Sequence, residues 1–177
     1  MDVAHEADRD LVVRWVRGCQ GPVIDAGCGP GQWTDFLRQW GVDVEGVDVV
    51  PEFLAEAVAR FPAATFRLAT LDDLGVGDRS VSGVLCWYSL IHTAPEHIGQ
   101  ALGEFARCLI PGGGLLLGFF EGPKVEPFAH AVTMAYRWPV DELACHVENA
   151  GFVVQERHTR SDPGVRPHGA LTAVRQL

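Results

Sequence analysis

The chain has 177 residues, 47% of them hydrophobic and 21% charged, with a net charge of -9. A length of this order fits one domain that buries roughly 70% of its unfolded surface, and it weighs against a cofactor domain paired with a separate substrate domain. The acidic balance disfavours broad binding to nucleic acid or to an anionic membrane, both of which call for a basic patch.

In chain order, residues 3–18 place Val3, Ala7, Leu11, Val12, Trp15 and Val16 at helical spacing, closed by Gly18 and Gly21-Pro22. Val23–Ala26 is a short buried strand running into a glycine loop. Gln32–Trp40 reads as a helix stopped by Gly41, and Val42–Val49 as a second strand. Pro51 suits the first turn of a helix reaching Arg60, and Thr65–Ala69 is a third strand. Val81–Tyr88 is a fourth strand, Pro95–Leu109 a helix, and Leu115–Phe120 a fifth strand after Pro111-Gly112-Gly113-Gly114. Residues 121–138 read as irregular, with room for a short helix over 128–136. Pro139–Ala150 is a helix, and Phe152–Arg157 and Ala170–Val174 are two closing strands paired antiparallel.

Strands separated by helices of these lengths predict an α/β fold: a single-domain, Rossmann-like doubly wound sheet. Its seven strands are mostly parallel with the last antiparallel, and helices cover both faces. Ligands in such sheets bind beyond the carboxyl ends of the strands, where strand order reverses. The acidic N-terminus reads as neither a signal nor a transit peptide, and no apolar run approaches the ~18 residues of a membrane span. Five scattered cysteines without a CxxC pair suit reduced thiols and a cytoplasmic protein with no metal centre.

The loop after the first strand reads Asp25-Ala26-Gly27-Cys28-Gly29-Pro30-Gly31-Gln32-Trp33. Glycines at alternate positions let backbone approach a ligand, and the helix that follows offers free N–H groups. The dinucleotide fingerprint G-x-G-x-x-G is not met, because the third glycine comes one residue early, and a Walker lysine is absent. Asp48 ends the second strand about 20 residues past the first glycine, the offset at which an acid meets ribose hydroxyls.

Asp25-x-Gly27-x-Gly29-x-Gly31 resembles the first motif of class I S-adenosylmethionine-dependent methyltransferases, small bacterial metabolite-type enzymes in particular. Arg107-Cys108-Leu109-Ile110-Pro111-Gly112-Gly113 matches that family's turn before the fifth strand. The resemblance implies S-adenosylmethionine as cofactor and S-adenosylhomocysteine as product. It implies a cofactor site of Asp25, Gly27, Cys28, Gly29, Gly31, Trp33, Asp48, Val49, Thr70, Leu71 and Trp87, with either Thr70 or Asp72 meeting the adenine. Asn/Asp-Pro-Pro-Tyr, found after the fourth strand in many nucleobase and amino-group methyltransferases, is absent. The sequence there is Trp87-Tyr88-Ser89-Leu90-Ile91-His92.

The expected reaction is direct displacement onto a hydroxyl or other heteroatom of a small-molecule acceptor. Tyr88 and His92 are the catalytic candidates: His92 as base, histidine being the side-chain type suited to proton transfer near neutral pH, and Tyr88 orienting. Tyr88, His92, His130, Tyr136, Arg137 and His168 are the candidate substrate contacts, with 121–138 as an acceptor-side insertion and Arg137 as a bidentate donor. His5, His97, His146 and His158 are expected to be surface or structural. A homodimer is compatible with the sequence. A non-catalytic S-adenosylmethionine-binding partner domain shares the same motifs, and a nucleotide-dependent oxidoreductase is disfavoured by the glycine spacing.

Overall fold

A computed structural model describes residues 5–130 and 133–177. Val3, expected in the first helix, lies outside the described residues. The described helix α1 runs Glu6–Val16, and it is followed by β1 (Val23–Ala26), α2 (Gln32–Gln39), β2 (Val44–Asp48), α3 (Pro51–Arg60) and β3 (Thr65–Leu68). Then come β4 (Val81–Trp87), α4 (Ile98–Cys108), β5 (Leu109–Phe120), β6 (Glu126–Ala129), β7 (Met134–Arg137), α5 (Val140–Asn149), β8 (Phe152–Arg160) and β9 (His168–Arg175).

Seven strands form one sheet in the order β3-β2-β1-β4-β5-β9-β8. β1 pairs parallel with both β2 and β4, so strand order reverses beside it. Only β9 runs against its neighbours, between β5 and β8. β1 is buried at every position because both faces of the sheet are covered. Val23 faces the side that holds Leu11 and Val12 of α1 and Leu37 of α2. Ile24 faces the side that holds Phe105 of α4 and Leu143 of α5. The predicted α/β sheet is therefore the observed one.

Three local expectations change. Residues 121–138 are neither irregular nor helical at 128–136: β6 and β7 pair antiparallel, Glu126 opposite Arg137 and Ala129 opposite Met134. Alternation of exposed and half-buried residues along Glu126–Ala129 is the two-residue period of a strand. β5 begins six residues before Leu115. Leu109 already pairs with Val81, and the glycine-rich turn bulges out before Gly114 meets Gly83. The helix expected from Pro95 opens with a 3-10 turn, Pro95–His97, before α4 proper. No helix among the described residues is long and apolar enough to cross a membrane.

Candidate active site

A cavity of about 810 Å³ opens at the carboxyl ends of β1, β2 and β4, within the size range of small-molecule sites. Its floor is the glycine loop. Gly27, Gly29 and Gly31 all hold positive φ, at 75°, 52° and 84°. At Gly27 a Cβ would sit 1.7 Å from Ser89 Oγ, so the loop after β1 closes against the loop after β4 only with glycine there. At Gly29 a Cβ would meet nothing within 4 Å, which leaves bare backbone facing open space. Gly31 caps α2 and, though expected in the site, does not line the cavity.

Two carboxylates flank this floor. Asp48 accepts hydrogen bonds from the Gly29 N–H at 2.8 Å and the Val50 N–H at 2.9 Å. Asp25 is buried and accepts from Thr34 Oγ1 at 2.6 Å. Burial raises the Asp25 pKa to about 7; the Thr34 hydrogen bond opposes that shift, and the nearby Asp48 adds to it. Burial also pushes the Cys28 thiol well up, so Cys28 is a neutral wall beside the loop. The cavity is also lined by Trp33, Val49, Thr70, Leu71, Asp72 and Trp87. The Trp33 and Trp87 rings lie 5.3 Å apart. Thr70 and Asp72 thus both line the cavity.

Beyond Trp87 the chain turns sharply at Tyr88, whose φ is +56°. For a bulky residue this conformation costs roughly 1–2 kcal/mol, and such strain concentrates at functional sites. Tyr88 and His92 both line the cavity. His92 Nδ1 lies 3.0 Å from the Met134 carbonyl. A carbonyl only accepts, so Nδ1 donates to it and leaves Nε2 as the ring nitrogen free to meet an acceptor.

That contact ties the 3-10 turn Leu90–His92 to the β6–β7 hairpin, whose His130 and Thr133 reach the same cavity. The His92 and His130 rings are 5.2 Å apart. Burial, His92 and Arg166 together lower the His130 pKa.

Three expected substrate contacts are placed elsewhere. Arg137 does not line the cavity: it donates to Glu126 Oε1 at 3.0 Å and covers the Phe128 ring at 4.9 Å. Tyr136 packs on the core from the hairpin. His168 is buried behind Tyr88 and bonded to its hydroxyl. Conversely, exposed His97 lies at the cavity rim with Gln100, at the start of α4. Phe53 of α3 also lines the cavity, and only its place at the start of the helix after Asp48 could have signalled it. Among the described residues no group of three or more His, Cys, Asp or Glu is placed to hold a metal.

A family model described as "Methyltransferase domain" matches residues 23–113, just over half of the chain. An uncharacterized methyltransferase of Synechocystis is 28% identical over 145 residues, covering 77% of this chain and 68% of its own. A malonyl-[acyl-carrier protein] O-methyltransferase of Erwinia billingiae is 34% identical over 109 residues, which are 62% of this chain but 43% of that protein. Among solved structures, Burkholderia thailandensis 1,6-didemethyltoxoflavin-N1-methyltransferase, bound to 1,6-didemethyltoxoflavin and S-adenosylhomocysteine, superposes with a TM-score of 0.80. It is 24% identical, and the match covers 96% of this chain and 77% of that one. By its family match, its strand order and its glycine loop, the chain belongs to the class I S-adenosylmethionine-dependent methyltransferases.

Proposed function

We propose that this chain transfers the methyl group of S-adenosylmethionine to a hydroxyl or other heteroatom of a small-molecule acceptor. The observation that carries the reading is the lining of one cavity, which joins glycine-loop backbone, Asp25 and Asp48 with Tyr88, His92 and His130. The residues fit the cofactor. Gly29 leaves space for close backbone approach, and the acids suit a molecule with cationic sulfonium and ammonium groups and ribose hydroxyls. The Erwinia relative acts at oxygen by its name, and the Burkholderia structure, which shares the fold, at nitrogen.

When bound, S-adenosylmethionine supplies a methyl group already activated on sulfur. The chain's own work is then to place the acceptor and keep water out. In this reading Asp48 holds the ribose hydroxyls, and Thr70, Asp72 and Leu71 hold the adenine. Trp33 and Trp87 wall the methionine part. His92 takes the acceptor's proton on Nε2, and the hairpin carrying His130 covers the acceptor side. The single domain across 177 residues, with 121–138 as acceptor-side insertion, is part of the same proposal.

Calorimetry tests the cofactor: S-adenosylhomocysteine should bind and NADH should not, and the reverse would overturn the reading. A panel of phenols, amines and carboxylic acids, scored by S-adenosylhomocysteine released, tests the transfer. For any acceptor found, His92→Ala should cost roughly 100-fold or more in kcat if the histidine is the base. Unaltered turnover removes it from that role.

A further inference from the structure

Behind Tyr88 runs a chain of side chains drawn from opposite ends of the sequence. The Tyr88 hydroxyl bonds His168 Nδ1. His168 sits on β9, opposite Phe120 of β5. Its other ring nitrogen, Nε2, lies 3.5 Å from Asp8 Oδ1 on α1. Asp8 also accepts from Arg160 Nη1 at 2.6 Å and from Arg160 Nη2 at 3.1 Å, and Arg160 reaches Asp162 Oδ2 at 2.9 Å. Asp8 and His168 are both buried. The positioning of Tyr88 therefore depends on a helix at one end of the chain and a strand at the other.

The proton positions follow from charge. Arg160 neutralises Asp8, and burial outweighs the pull of Asp8 and lowers the His168 pKa, so the imidazole is neutral and carries one N–H. Arg160, His158 and His5, which also act on the ring, likewise disfavour its protonation. A lone pair on Nε2 would face a carboxylate, so Nε2 carries the hydrogen. Nδ1 is then the acceptor, and the Tyr88 O–H donates to it. A phenol has one proton, and here it is spent inward.

We infer that Asp8 and His168 are positioning residues that leave Tyr88 only lone pairs to offer the cavity. The site thereby selects an acceptor that brings its own O–H or N–H. This rests on the methyltransferase reading for the identity of the cavity. An ether or carbonyl of the same shape would set lone pair against lone pair, while a hydroxyl or amine would be held through its hydrogen on the Tyr88 oxygen, a single hydroxyl hydrogen serving Tyr88 in binding or His92 Nε2 in the transfer but never both at once. The left-handed turn at Tyr88 is part of the device, because it brings the ring to His168.

Two measurements test it. In protein labelled with ¹⁵N-histidine, His168 should show the neutral Nε2–H tautomer at pH 7, with its signals assigned by their loss in His168→Gln. Tyr88→Phe should shift the Nδ1 resonance. A protonated ring, the Nδ1–H tautomer, or a resonance indifferent to Tyr88→Phe overturns the inference. This arm uses ligand-free protein, so it stands even if S-adenosylhomocysteine fails to bind and the functional reading falls.

In the second arm, phenol and anisole are titrated into the protein saturated with S-adenosylhomocysteine. Phenol should bind roughly fivefold tighter, and the preference should vanish in Tyr88→Phe. Equal affinities in the unmodified protein, including no detectable binding of either, overturn the inference.

Discussion

The backbone N–H of Gly29 donates to Asp48 Oδ2 at 2.8 Å, joining the glycine loop after β1 to the carboxyl end of β2. The other oxygen of Asp48 takes the Val50 N–H at 2.9 Å. One carboxylate therefore shapes the loop floor and offers remaining lone pairs to a ligand. Hydrogen bonds to charged groups contribute about 1.5–3 kcal/mol each. Asp48→Ala should lower stability by about that much and weaken S-adenosylhomocysteine binding roughly tenfold or more. Asp48→Asn, which keeps one acceptor oxygen, should fall between. Unchanged affinity on calorimetry would remove Asp48 from the ribose site.

Asp25 makes stability depend on pH in the unusual direction. Its pKa rises from 3.8 to about 7 in the folded chain because burial disfavours the carboxylate. Below pH 3.8 both folded and unfolded states are protonated, and the group's contribution is fully present. Between there and about 7 only the folded state keeps the proton, so the contribution is lost as pH rises. Asp25→Asn has no such titration. In urea unfolding, the stability of the Asn variant relative to the unmodified chain should grow by a few kcal/mol between pH 4 and pH 8. A constant difference would show that Asp25 titrates normally.

The parts of this protein legible in the sequence were those with a strong period or a forced turn. Val23–Ala26 and the glycine loop could be placed because an apolar run ending in Gly27 has few conformations open to it. The hairpin leaves little trace in the sequence because β6 and β7 are four residues each and Pro127 interrupts the pattern. Arg137 looked like a free bidentate donor because its partner, Glu126, is opposite it only once the hairpin forms. Asp8 carried no signal at all. Its part depends on Arg160 and His168, both more than 150 residues away in sequence.

Gly29 and Gly31 differ in what a side chain would meet within one loop. A methyl group at Gly31 would lie 2.6 Å from Phe66 Cζ and 3.0 Å from Ala57 Cβ, on a residue at φ +84°. At Gly29 it would meet open space at φ +52°, a left-handed conformation that costs alanine roughly 1–2 kcal/mol. Gly31→Ala should therefore be the more destabilising by thermal melting. Gly29→Ala should stay folded yet lose S-adenosylhomocysteine affinity, because its methyl enters the cavity. Equal losses of stability in both variants would show that the loop's tolerance is set by φ alone.

Arg137 gives the converse test. Its guanidinium is held by Glu126 Oε1 at 3.0 Å and lies 4.9 Å from the Phe128 ring centroid, on the far strand of the hairpin. Both partners are themselves only half-buried, and half-exposed ion pairs contribute up to about 1 kcal/mol. Arg137→Ala should therefore cost about 1 kcal/mol or less in stability and leave S-adenosylhomocysteine affinity within twofold. His130→Ala, on the same hairpin but lining the cavity, should alter binding of acceptor-side probes such as phenol. If Arg137→Ala abolished phenol binding while His130→Ala spared it, the hairpin would present its other face to the acceptor. Arg137 would then regain the role of a bidentate donor that its residue type suggests.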